Sequence, residues 1–138
     1  MKKTAIMVLL FSLFAICFSP YSIVTQAAQI QPQWAFMCYG ECTIEELGTG
    51  FVEFSGQTEA FSTCDSVGVT VYLQQFKNGA WQTIKSVTFT NENSDSVYGW
   101  SQYFVETGYN YRVVADHIVQ QGSYVETTQS YTNPMYLN

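Results

Sequence analysis

The stretch VGVTVYLQQFKNGAWQTIKSV, residues 67–87, decides the fold. Val67, Val69, Val71 and Leu73 occupy alternate positions, with Thr70, Tyr72 and Gln74 between them. In an extended chain alternate side chains point to opposite faces, so the aliphatic four share a dry face and the polar set a wet one. Lys77-Asn78-Gly79 then supplies a turn, because Asn and Gly accept the positive φ that a tight hairpin requires. A second strand follows, anchored by Trp81, Ile84 and Val87. The stretch predicts a hairpin with one buried side and carries no chemistry of its own.

Toward the N-terminus, residues 34–47 read as extended, with Cys42 and Ile44 alternating against Thr43, Glu45 and Leu47. Gly48-Thr49-Gly50 is a turn, residues 51–55 a strand with Val52 and Phe54 on one face, and Ser62 to Asp65 a loop into the hairpin. Toward the C-terminus, Asn91 to Ser96 is the longest polar run and reads as a solvated loop. An aromatic strand over 97–104 comes next, then 109–119, where Tyr111, Val113, Ala115 and His117 share a face. Gln120 to Ser123 turns into a closing strand, 124–132, which Asn133-Pro134 ends because proline cannot donate to a ladder. No segment reads as a helix of usable length. About seven short strands separated by turns predict an all-β fold, an immunoglobulin-like (fibronectin type III-like) β-sandwich. One sheet would hold the strands near Thr43, Val52 and Tyr98, the other the central hairpin and the last two strands.

The first residues stand apart from this pattern. Lys2 and Lys3 precede an apolar run from Ile6 to Phe18, and a polar region leads to Thr25-Gln26-Ala27-Ala28. This is the form of a secretory signal peptide, with cleavage after Ala27 and Ala28 as the alternative; the run is short for a membrane span. The expected organisation is a signal peptide over 1–27, a lead and first strand segment over 28–41, and the β domain over 42–138. The mature chain of 111 residues keeps three basic residues (Lys77, Lys85, Arg112) against eleven acidic ones, a net charge of −8. Nucleic acid is a poor partner for such a surface, and so is an anionic membrane; no stable membrane insertion is expected after cleavage. Export permits a disulfide, and three cysteines remain, so one thiol is left over. Cys64 bridged to Cys38 or Cys42 is the expected pairing, with all three reduced as the alternative.

Two resemblances follow. Gly108-Tyr109-Asn110-Tyr111-Arg112-Val113-Val114-Ala115 resembles the sixth strand of fibronectin type III and immunoglobulin-like domains, where a tyrosine at the place of Tyr111 bonds nearby backbone and braces a corner. The chain also resembles a family of small secreted proteins of Gram-positive bacteria with no established activity. The matching runs are V-T-V-Y-L-Q-x-F-x-N-G-x-W (69–81), G-Y-x-Y-R-V-x-A-x-H (108–117) and E-T-T-x-S-Y-T (126–132). That resemblance implies an immunoglobulin-like sandwich and spans roughly Gly50 to Thr132.

Catalytic residues are hard to assemble. The one histidine, His117, has Asp116 beside it, but adjacent strand residues face opposite sides, so the pair cannot work together. His117 reads instead as the end of the inward row begun by Tyr111. Glu45 and Glu46 are adjacent and point apart, which excludes them as a glycosidase pair. The chain is therefore expected not to be an enzyme and to need no cofactor or metal. Aromatic residues are abundant, and rings over polar neighbours suit an extracellular protein or glycan. If the strands at 67–75 and 109–119 are neighbours, Tyr72, Gln74, Arg112 and Asp116 form one mixed patch, the expected binding site. A glycan-binding module would instead use rings among Tyr98, Trp100 and Tyr103. A secreted effector or toxin is disfavoured by the acidic charge.

Overall fold

The computed structural model describes residues 34–138; the expected signal peptide and the lead up to Gln33 lie outside them. Six antiparallel strands, β1 (Met37–Gly48), β2 (Phe51–Lys77), β3 (Ala80–Phe104), β4 (Tyr109–Gln121), β5 (Tyr124–Tyr131) and β6 (Met135–Leu137), form one curled sheet. Fewer strands appear than expected because two pairs are fused. β2 runs through the presumed loop at Ser62 to Asp65, and β3 runs through the polar run at Asn91 to Ser96.

Both long strands crease at the same level. Glu59 pairs with Ser96 and Cys64 with Ser94, so four residues of β2, 60–63, face the single Asp95 of β3. A bulge of this kind bends the bulged strand and sharpens the twist. Asn93 takes a left-handed φ of 48° beside it, a conformation that asparagine tolerates better than most residues. The crease divides the sheet into two wings. The first holds β1, residues 51–60 of β2 and residues 96–104 of β3; the second holds residues 80–94 of β3, residues 64–77 of β2, β4, and β5 with β6. The two separate sheets expected from the sequence are thus one continuous sheet, with the strands near Thr43, Val52 and Tyr98 on one side of the crease and the hairpin, β4 and β5 on the other.

The core lies between the wings. Val67, Val69, Val71 and Leu73 are fully buried, in register with Val119, His117, Ala115 and Val113 of β4. Each such aliphatic side chain contributes about 1.5–3 kcal/mol by leaving water. Met37, Val52 and Phe54 face them from the first wing. Gly56 and Gly99, paired in register, keep the gap narrow. A Cβ on Gly56 would sit 2.7 Å from Val69 Cγ2, and one on Gly99 2.1 Å from Phe89 Cγ.

The turns follow their residues: Asn78 and Gly79 have φ of 57° and 79°, the pair of positive angles that suits a two-residue hairpin. Two expectations need correction. Trp81 is not a core anchor. The register slips between Leu73 and Gln74, where Lys85 and then Thr83 are the partners, so Ile84 is unpaired and every residue before it changes face. Ile84 packs toward the core, and Trp81 lies on the outer face against Phe76, ring centroids 5.2 Å apart. Pro134 also interrupts rather than ends the last strand, for β6 resumes pairing with Tyr109 to Tyr111 of β4.

Candidate functional site

His117 lies between the wings, fully buried. Its Nδ1 is 2.7 Å from Thr58 Oγ1 and its Nε2 2.8 Å from Ser130 Oγ. Thr58 donates its own proton to the carbonyl of Gly68 at 3.0 Å. The hydroxyl must then accept from the ring, so Nδ1 carries the hydrogen and Nε2 accepts from Ser130. Gly40 lies flat on the imidazole, where a Cβ would come within 2.9 Å of the ring. Burial pulls the His117 pKa below its ordinary value, and nearby Asp116 only partly opposes this. Asp116 faces the other side of the sheet. This is a neutral, satisfied strut between wings.

The four expected binding residues do converge on the outer face of the second wing. Tyr72 donates to Asp116 at 3.0 Å, Arg112 Nε donates to Gln74 Oε1 at 2.9 Å, and Gln74 in turn donates to Thr83 at 3.2 Å. The Arg112 guanidinium also lies 4.4 Å from the centroid of the Trp81 ring. Gln129 donates to the second Asp116 oxygen. The bond to Asp116 is the main cause that raises the Tyr72 pKa. Beside this network a shallow depression of about 580 Å³ is lined by Thr70, Asp116, His117, Ile118, Thr127, Thr128 and Gln129. The polar groups of the patch are thus largely spent on one another.

The outer face of the first wing is less self-contained. Tyr98, Trp100 and Phe104 stand on it with 58%, 53% and 61% of their surface exposed. Tyr103, the third ring expected with Tyr98 and Trp100, is of the opposite parity and pairs with the inward Val52. Phe104 takes its place, edge-on to Phe51 at 5.3 Å. Beside the rings run Glu53, Gln57 and Glu59 of β2, then Glu41 and Glu45 of β1. Glu45 sits directly opposite Glu53, a like-charge cross-strand pair that costs stability. The hydrogen-bond donors to these acids are neutral: Tyr39 to Glu41, Gln57 to Glu59, Gln102 to Glu53. The alternation of Glu41, Thr43 and Glu45 was the available sequence signal for this face; its meaning depended on which strands lie side by side.

The cysteines do not form the expected bridge. Cys38, Cys42 and Cys64 are all free thiols. The irregular pairing between Met37 and Tyr39 turns Cys38 outward, while Cys42 faces the core. Cys42 donates to the carbonyl of Val113 and neighbours Ser130, whereas Cys64 bonds Ser62 at the crease and feels Glu126. Cys42 is in register with Gly56 in the first wing, whereas Cys64 pairs with Ser94 beyond the crease, so these two thiols sit at different places in the core. Burial raises the pKa of both.

Glu126 holds the start of the described chain. Its carboxylate accepts from the backbone N–H groups of Ala35, Phe36 and Met37 at 2.7, 3.1 and 2.8 Å. Desolvation pushes its pKa upward, but the three donors outweigh that and leave it lowered.

The chain matches no protein-family model and no curated protein. It is similar in structure to CsgH of R. palustris, with 18% identity, a TM-score of 0.41, and coverage of 69% of this chain and 92% of that one. It is also similar to the sporulation control protein Spo0M of Bacillus subtilis, at 12% identity and a TM-score of 0.37 over 67% of this chain and 46% of that one. A protein from Archaeoglobus fulgidus shares 8% identity at a TM-score of 0.36, over 74% and 98% of the two chains.

Proposed function

We propose that this chain is a secreted, immunoglobulin-like β-sandwich that binds a protein or glycan outside the cell and catalyses nothing. The lysine-led apolar N-terminus supports export, and the resemblance to small secreted proteins of Gram-positive bacteria agrees with it. The strand grouping supports the immunoglobulin-like assignment, three strands facing four, as does the Tyr111 hydroxyl, which donates to the Glu106 carbonyl at 2.6 Å, just ahead of its strand.

The observation that carries the binding role is the outer face of the first wing, where solvent-exposed rings stand in line beside a row of carboxylates and amides. Surface aromatics scattered singly need no explanation; rings aligned with polar neighbours on one sheet face suit recognition. The buried, satisfied His117 speaks against catalysis. The test is to screen purified protein against glycan arrays and secreted-protein fractions, and to repeat each hit with Trp100→Ala. A ligand lost with that substitution is the expected result. Ligands that ignore it, or turnover of any substrate abolished by His117→Asn, would overturn the reading. N-terminal sequencing of protein recovered from a secreting host checks export, with a start at Ala28 or Gln29 expected.

A further inference from the structure

Resting on that reading, we infer that the partner of the first-wing face is a cationic polypeptide segment that adds as an extended strand to the free edge of β3 at residues 97–104. Among the described residues this part of β3 pairs with β2 alone, so its other side offers unpaired backbone donors and acceptors. An added strand would place alternate side chains on the same face as Tyr98, Trp100 and Phe104, at their own spacing of about 6.8 Å.

The charge of those side chains follows from the face. Among the described residues its acids, Glu41, Glu45, Glu53 and Glu59, have no salt-bridge partner, and a cation would relieve the like-charge pair Glu45–Glu53. The basic residues of the domain are Lys77, Lys85 and Arg112, all on the second wing. Each already lies over a ring: Lys77 over Tyr109, Lys85 over Tyr103, Arg112 over Trp81. Among the described residues Tyr98 and Trp100 have no such cation. Arg112 also demonstrates the reach required, for it extends from β4 across Gln74 of β2 to a ring on β3. An arginine on the added strand would make the same crossing, over the rings of β3 to Glu53 and Glu59 on β2. The guanidinium would gain a π face and a carboxylate together.

The experiment titrates a synthetic peptide alternating arginine and threonine into isotopically labelled protein and follows backbone amide shifts. Shifts should concentrate at residues 97–104, and affinity should fall about tenfold in high salt and about tenfold with Trp100→Ala. Glu53→Gln with Glu59→Gln should weaken binding similarly, while Thr90→Ala on the second wing leaves it intact. An alternating glutamate-threonine peptide should not bind. The inference is overturned if the peptide does not bind, if the Glu→Gln pair binds equally well, or if the shifts map to β4 and β5. It also falls if the edge is occupied by a second copy of this chain, seen as concentration-dependent association lost with Trp100→Ala. An amino-sugar oligomer bound in preference to the peptide and lost with Trp100→Ala would overturn the strand inference while leaving the binding face standing. Failure of every ligand class at Trp100 would remove both.

Discussion

At the scale of single residues, two buried polar side chains decide how the wings meet. The Tyr111 hydroxyl donates to Glu106 and accepts from Gln75 at 2.8 Å. Tyr111→Phe leaves both partners unmet and should cost about 1–2 kcal/mol, a fall in Tm of roughly 5–10 °C, read by thermal denaturation. His117 gives a pH signature. Its folded pKa lies below the unfolded value of 6.5, so the unfolded chain binds the proton first. Stability is therefore full above about pH 6.5, declines as pH falls toward the folded pKa, and levels off beneath it. His117→Asn should flatten that decline in Tm measured from pH 8 to 5. Both side chains, like the row from Val67 to Leu73, were legible from even-odd alternation. Trp81 was not, because the unpaired Ile84 reverses the parity and leaves no mark in composition.

At the scale of the element, the start of β1 depends on one acid of β5. Glu126→Gln removes the charge and one of the two oxygens that receive Ala35, Phe36 and Met37. Hydrogen exchange at those three amides should quicken several-fold, with global stability falling by about 1 kcal/mol. Because the folded pKa of Glu126 is lowered from 4.5, this contribution is full above pH 4.5 and is lost as pH drops through the folded value. That window opens at a lower pH than the one set by His117, so acid should begin to slacken the core before it begins to free the lead. The strands themselves were mostly legible, but the continuity of β2 and β3 was not. A crease and a loop draw on the same Ser, Thr, Asn and Asp, and only pairing on both flanks tells them apart.

At the scale of the whole molecule, the distance between wings is set by the absence of side chains at Gly56 and Gly99. Gly99→Ala would drive a methyl into the Phe89 ring and should cost about 1–3 kcal/mol. Pairing it with Phe89→Leu should recover part of the loss, measured as a double-mutant cycle in urea. The candidate site was legible only in fragments: Tyr98 and Trp100 stood out as rings, while the acids beside them belong to strands distant in sequence. The creases carry one further consequence. Where a two-layer β protein would send a connecting loop from one layer to the other, this one sends two strands that pair on both flanks of a short bulge, so a change of length there must shift a register. Such loops are the ordinary raw material for new specificities. A lineage built on this chain must diversify by repainting its flat surfaces and exposed margins, and its relatives should differ most there.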